Sequence, residues 1–131
     1  MYMQKELIMN IVSIGWDGFV RAKLPAELDP VTAQTFADEF VKIFNANPHN
    51  LSIIDASDVK SIPTDSVKKV LVDGLKRLRP TVKDRTAIIL QIDPFLKIAV
   101  RAILIIIGKT KTQIFSSEDE ARAWLSKYRL P

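Results

Sequence analysis

Leu51–Ser52–Ile53–Ile54–Asp55–Ala56–Ser57–Asp58–Val59, continuing as Lys60–Ser61–Ile62–Pro63–Thr64–Asp65–Ser66, decides how the rest of the chain is read. An apolar run stops at Asp55 and a polar turn follows. Hydroxyls at Ser61, Thr64 and Ser66 then gather where a helix would expose unpaired N–H groups. The stretch reads as a buried strand, a turn and a helix start. A functional site, if the chain has one, belongs here.

On the N-terminal side, Phe19–Val20–Arg21–Ala22–Lys23–Leu24 alternates apolar and polar, as a half-exposed strand does. Gly15–Trp16–Asp17–Gly18 is a turn joining it to an earlier strand within residues 4–14, covered on much of both faces. Asp29–Pro30 is an N-cap followed by proline at the first helical position. Ala33, Phe36, Ala37, Phe40 and Phe44 then recur at helical spacing through about Asn45. Three phenylalanines on one stripe read as core rather than as a ligand box. Asn45 to Asn50 connects into the opening strand.

On the C-terminal side, Val67, Val70, Leu71, Leu75 and Leu78 form the buried stripe of a second helix, which Pro80 ends. Gly74, on the same face, either permits close packing or weakens the helix. Arg85 to Ile92 is a continuous apolar strand, buried on both faces. Asp93–Pro94 repeats the cap-and-proline start, and a third helix covers Phe95 to Ile107 with Gly108 closing it. Lys111 to Phe115 is a last short strand. Ser117–Glu118–Asp119–Glu120 is a capping box, and Ala121, Trp124, Leu125 and Tyr128 form the buried face of a fourth helix. The order is β-β-α-β-α-β-α-β-α. That implies one α/β domain over residues 1–131, with a mixed, mostly parallel five-stranded sheet and four helices.

Composition narrows the function classes. The 131 residues hold no cysteine, which removes disulfides, thiol catalysis and thiolate metal sites and fits a reducing cytosol. The one histidine, His49, sits in turn chemistry, so neither a metal centre nor a cofactor is expected. The N-terminus lacks a signal-peptide core. Phe95 to Ile107 carries Lys97 and Arg101 and is too short to span a bilayer, so a cytoplasmic location is expected. Four glycines form no phosphate loop. Asp29 and Asp55 could be read as an acid pair, but no base or thiol accompanies them, so no catalytic residue is assigned. Residues 60–85 hold eight basic and three acidic side chains, net +5. A solvated face is the favoured reading, an acidic-partner surface the other. Without interleaved aromatics the stretch does not suit nucleic acid.

The third helix is apolar around most of its circumference. Phe95, Ile98, Ala99, Ala102, Ile103 and Ile106 make one face, and Leu96, Val100, Leu104 and Ile107 another. One sheet cannot cover both, so a second chain or an apolar ligand is expected against Leu96, Val100, Leu104 and Ile107. Homodimerisation is the first explanation and lipid binding the second.

Three patches carry a family resemblance: Leu24–Pro25–Ala26–Glu27–Leu28–Asp29, Ile54 to Ile62, and Ile114 to Leu125. In order, they resemble the STAS domain of anti-sigma-factor antagonists, and more closely its divergent SpoIIAA-like, STAS/SEC14-type group. The resemblance implies helices largely on one side of the sheet. It implies a protein-interaction module without enzymatic activity, with a kinase or sigma-regulator type of partner. In signalling members it also implies a phosphorylated residue in Asp-Ser-Ser/Thr-Gly after the central strand. Here Pro63 falls on that aspartate, Thr64 on the phosphoacceptor, and Asp65 and Ser66 on the last two places. Thr64 and Ser66 are therefore the candidate phosphoacceptors, and Asp29, Lys60, Asp65 and Lys68 the candidate partner surface. Thr64 can also act as an N-cap, worth about 1 kcal/mol. The SEC14-type kinship keeps a lipid or small apolar ligand as the alternative function.

Overall fold

The computed structural model describes residues 12–15, 17–47, 49–81, 83–91, 93–107 (backbone alone at 106 and 107) and 111–129. They form an α/β domain in the order β1 (Val12–Ile14), β2 (Val20–Lys23), α1 (Pro30–Ala46), β3 (Leu51–Asp55), α2 (Asp65–Leu75), β4 (Arg85–Ile89), α3 (Pro94–Ile107), β5 (Thr112–Phe115) and α4 (Glu118–Ser126). The sheet runs β1-β2-β3-β4-β5, with β1 antiparallel to β2 and every other pair parallel.

Register explains the two cores. Ala22, Ile54, Ile88 and Ile114 align across β2 to β5. They face α1, α2 and α3, and the phenylalanine stripe of α1 fills this larger core. Phe36 stacks on Phe40 and Phe40 meets Phe44 at a tilt, with ring centroids 5.7 and 5.8 Å apart. Each side chain so buried stabilises the fold by roughly 1.5–3 kcal/mol relative to exposure. Because side chains alternate along a strand, Ile53, Ala87 and Ile89 point to the other face, where Ala121 and Leu125 of α4 cover them. Three helices thus lie on one side and one on the other.

The helix starts follow their sequence signals. Asp29 accepts from Thr32 N at 2.7 Å, Thr64 from Val67 N at 3.3 Å and Ser117 from Glu120 N at 3.3 Å. Asp93 accepts from Phe95 N at 2.9 Å and Leu96 N at 3.2 Å.

Several boundaries differ from expectation. The α2 helix ends at Leu75 rather than Leu78. Beyond it, Arg77 N bonds Gly74 O at 3.1 Å and Leu78 N bonds Leu75 O at 3.2 Å, a tightened final turn that still buries Leu78. The β4 strand stops at Ile89, after which Leu90 N bonds Phe115 O at 3.0 Å. On β1, Ser13 and Ile14 are exposed, because this is an edge strand, so its described end is not covered on both faces. Tyr128 lies past the end of α4 and is exposed. Its ring meets Trp124 edge-on at 5.5 Å and carries the Arg85 guanidinium at 4.4 Å. Residues 4–11 of the expected first strand, Trp16, Ile92 and the Gly108 stop lie outside the described residues.

Candidate functional site

The opening strand ends where it was expected to. Asp55 closes β3, and its Oδ1 accepts from Ser57 N at 3.0 Å and from Ser57 Oγ at 2.5 Å. This side-chain turn redirects the backbone, and Ala56 N bonds Ile89 O at 2.9 Å. Lys60 N then reaches Ala26 O at 3.4 Å, which ties the loop before α2 to the loop before α1. Two helix starts are thereby brought to one end of the sheet, above the carboxyl ends of β2, β3 and β4. In open α/β sheets that end is where ligands collect.

Beneath these loops is a cavity of about 320 Å³. Its floor is Ile54 and Ile88 from the sheet, with Leu90 just past the end of β4. Leu71 and Leu75 of α2 close one side, and Leu96, Val100, Ile103 and Leu104 of α3 close another. Glu27, Asp29, Ser61 and Thr64 supply polar groups at its rim. No lysine, arginine or histidine lines it among the described residues. The volume is at the lower end of what small-molecule sites occupy, and mostly apolar walls with a few polar groups are their usual make-up.

Leu96, Val100 and Leu104 therefore turn inward, towards the chain's own core, and border the cavity. The side chain of Ile107 lies outside the described residues. The outward face of α3 is instead Phe95, Ile98, Ala102 and Ile105, with Phe95, Ile98 and Ile105 exposed by 70%, 66% and 79%. Ile103, grouped with Phe95 by sequence, is buried. Ile105 was placed on neither face by the sequence.

The switch candidates occupy the rim. Thr64 is exposed, and its hydroxyl is engaged as the α2 cap. Asp29 is exposed as well, and its hydrogen bonds from the backbone and side chain of Thr32 hold its carboxyl below the usual carboxylate range. Lys60, Asp65 and Ser66 are exposed and Lys68 half-buried around this end, but none of them borders the cavity. Asp29 and Asp55 are not brought together. Asp29 faces the cavity, whereas Asp55 borders a shallow groove on the opposite side of the sheet with Ser13, Arg21 and Glu118.

The basic stretch of residues 60–85 is also split. Arg77 pairs with Asp38 between α1 and α2, while Arg85 stacks on Tyr128 beyond α4. His49 holds a left-handed backbone (φ 59°), as a turn residue can, and borders a second hollow with Lys83 and Arg129. Among the described residues, no group of three His, Asp or Glu side chains converges as a metal site would need, and no helix is long and apolar enough to cross a membrane.

Sequence reasoning set an apolar ligand against Leu96, Val100 and Leu104, with a pocket between the third helix and the sheet as the mark of a carrier, but it missed Glu27 and Leu90 on the cavity's boundary. The one signal for the cavity was the apolar circumference of α3, which announced two apolar contacts without settling which of them was internal. Comparisons with models of protein families, with curated proteins and with solved structures find no match to this chain.

Proposed function

We propose that this chain is a non-catalytic binding module that holds a small, mainly apolar molecule between α3 and the sheet. The observation that carries the reading is the cavity of about 320 Å³ with apolar walls from the sheet and from α1, α2 and α3, and polar groups confined to its rim. A cavity of that kind costs stability when nothing fills it, since its lining loses dispersion contacts on one side. Binding recovers those contacts. The STAS/SEC14-type resemblance fits this reading through its lipid-binding side, and the cytoplasm suits a cysteine-free chain.

Native mass spectrometry of freshly purified protein tests the proposal. A co-purified mass, lost in Val100→Trp where the indole fills the space, is the expected result. A bare mass, together with no uptake of the neutral dye Nile red, would overturn it.

A second reading has its own support. Phe95, Ile98 and Ile105 project from α3 as an exposed apolar strip. A second copy of the chain covering that strip would make a homodimer, leaving the cavity to its ligand. Regulation by a kinase or sigma-regulator partner would act at Thr64, on the rim of the same cavity.

A further inference from the structure

Two hydroxyls lie deep in the sheet without partners. Ser52 and Thr86 are register neighbours on β3 and β4, both fully or nearly fully buried. Neither Ser52 Oγ nor Thr86 Oγ1 has a hydrogen-bond partner among the described residues. A buried hydroxyl left unpaired costs about 1–3 kcal/mol, and native interiors rarely tolerate two side by side.

Thr86 is distinguished from Ser52 by what it borders. A small annex of about 30 Å³ lies behind the main cavity, and Thr86 lines it. Side-chain alternation puts Thr86 on the same face as Ile88, towards α1, α2 and α3. Ile54, Leu75, Ile88 and Leu104 line both spaces, so the two adjoin. Leu104 is half-buried on α3, and a change of its rotamer would join the annex to the cavity. Thr112 also borders the annex but is already partnered. At about 30 Å³ the annex exceeds the roughly 10–15 Å³ that one water needs, so a small polar group fits in it.

We infer that the inner end of the ligand is an uncharged hydrogen-bonding group, a hydroxyl or carbonyl, that enters the annex and pairs with Thr86 Oγ1. This deepens the proposed function and rests on it. The charge pattern sets the chemical class. Neither space is lined by a cation among the described residues, and the rim offers the carboxylates of Glu27 and Asp29. An ionised headgroup buried at Thr86 would lack a counter-ion, and an anionic one left at the rim would meet like charge. The inner end is thus an alcohol, ketone or ester-like group, and the ligand is not a free fatty acid.

Displacement of Nile red by 1-octanol, n-octane and octanoate tests this on wild type, Thr86→Val and Thr86→Ser. Wild type should bind octanol at least tenfold more tightly than octanoate. Thr86→Val should weaken octanol about tenfold, the effect of one lost hydrogen bond, and leave octane unchanged. Thr86→Ser should retain octanol binding, and thermal melts check that both variants fold. An unchanged octanol-to-octane ratio in Thr86→Val would overturn the inference. It would leave Thr86 as a strand former whose hydroxyl a buried water satisfies. Octanoate binding as tightly as octanol would overturn the choice of ligand class. Failure of wild type to bind the dye or any probe would instead overturn the cavity-binding reading itself, a distinct outcome.

Discussion

Gly74 of α2 lies so close to Ala37 of α1 that a Cβ built on the glycine would stand 2.5 Å from the Cβ of Ala37. Real carbon pairs do not approach so far, and Ala37 is fully buried. The glycine is there for contact between the two helices, not as a weak point in α2. Gly74→Ala should therefore destabilise the protein by about 1–3 kcal/mol, the usual cost of overpacking, even though alanine favours the helix by about 1 kcal/mol. Adding Ala37→Gly should restore part of the loss. Urea unfolding of wild type and the two variants checks this, and a more stable Gly74→Ala would refute the close-packing account.

Asp17 governs part of the acid stability. Its side chain is 1% exposed and meets Arg21 at 2.7 Å and Arg122 at 3.6 Å. Burial pushes its pKa up, but the Arg21 hydrogen bond, the Phe19 N–H and the charge of Arg21 outweigh that and bring it below the ordinary value. Arg77 likewise lowers Asp38. A depressed folded pKa gives stability that is complete above the unfolded value, about 3.9, and is lost as pH falls through the folded value. Asp17→Asn should cost about 1–3 kcal/mol near neutrality. The gap from wild type should close below about pH 4. Denaturant midpoints measured from pH 7 to pH 2 decide it; a gap constant with pH would mean that the charge of Asp17 is not what stabilises.

At Thr64 the cap and the switch can be separated. Thr64→Val removes the acceptor for Val67 N and should cost about 1 kcal/mol. Thr64→Asp keeps an N-cap acceptor and adds charge at the helix N-terminus, so its stability should equal or exceed that of wild type. Thermal melts compare the two. If Thr64→Asp also weakens Nile red uptake, added charge at the rim reaches the cavity.

The two faces of α3 should respond differently to a charge. Ile98→Glu with Ile105→Glu alters only the exposed strip and should change folding stability by less than about 1 kcal/mol, while light scattering shows a dimer becoming a monomer. Leu104→Glu places a carboxylate against the core and should cost several kcal/mol or prevent folding. Dissociation by Leu104→Glu without loss of stability would show that the inner face is the subunit contact after all.

The sequence carried the element order because its punctuation is local. Asp29–Pro30, Thr64, Asp93–Pro94 and Ser117 are caps whose bonds close within three residues, so they read the same in a sequence as in a fold. The stripes of α1 and α2 were legible because each has one apolar face. In α3 both faces are apolar, and helical spacing gives their separation but not which of them meets the sheet. That choice depends on how α3 enters from β4, a tertiary relationship. The other walls of the cavity were hidden for the same reason, since they come from residues far apart in the chain. Residues 4–11 of the expected first strand lie outside the described residues.

The ties made by the β1–β2 turn bear on folding order. Arg21 Nη1 donates to Glu118 at 2.7 Å, and Arg129 Nη2 donates to the Asp17 carbonyl at 3.0 Å, linking residues about a hundred positions apart. During synthesis the hairpin emerges well before α4. Until α4 arrives, Ile53, Ala87 and Ile89 have no helix over them, and the Asp17 cluster lacks Arg122. Closure of such distant contacts slows folding. A chain synthesised only as far as Phe115 would carry an uncovered sheet face, and the arrival of α4 would cover it.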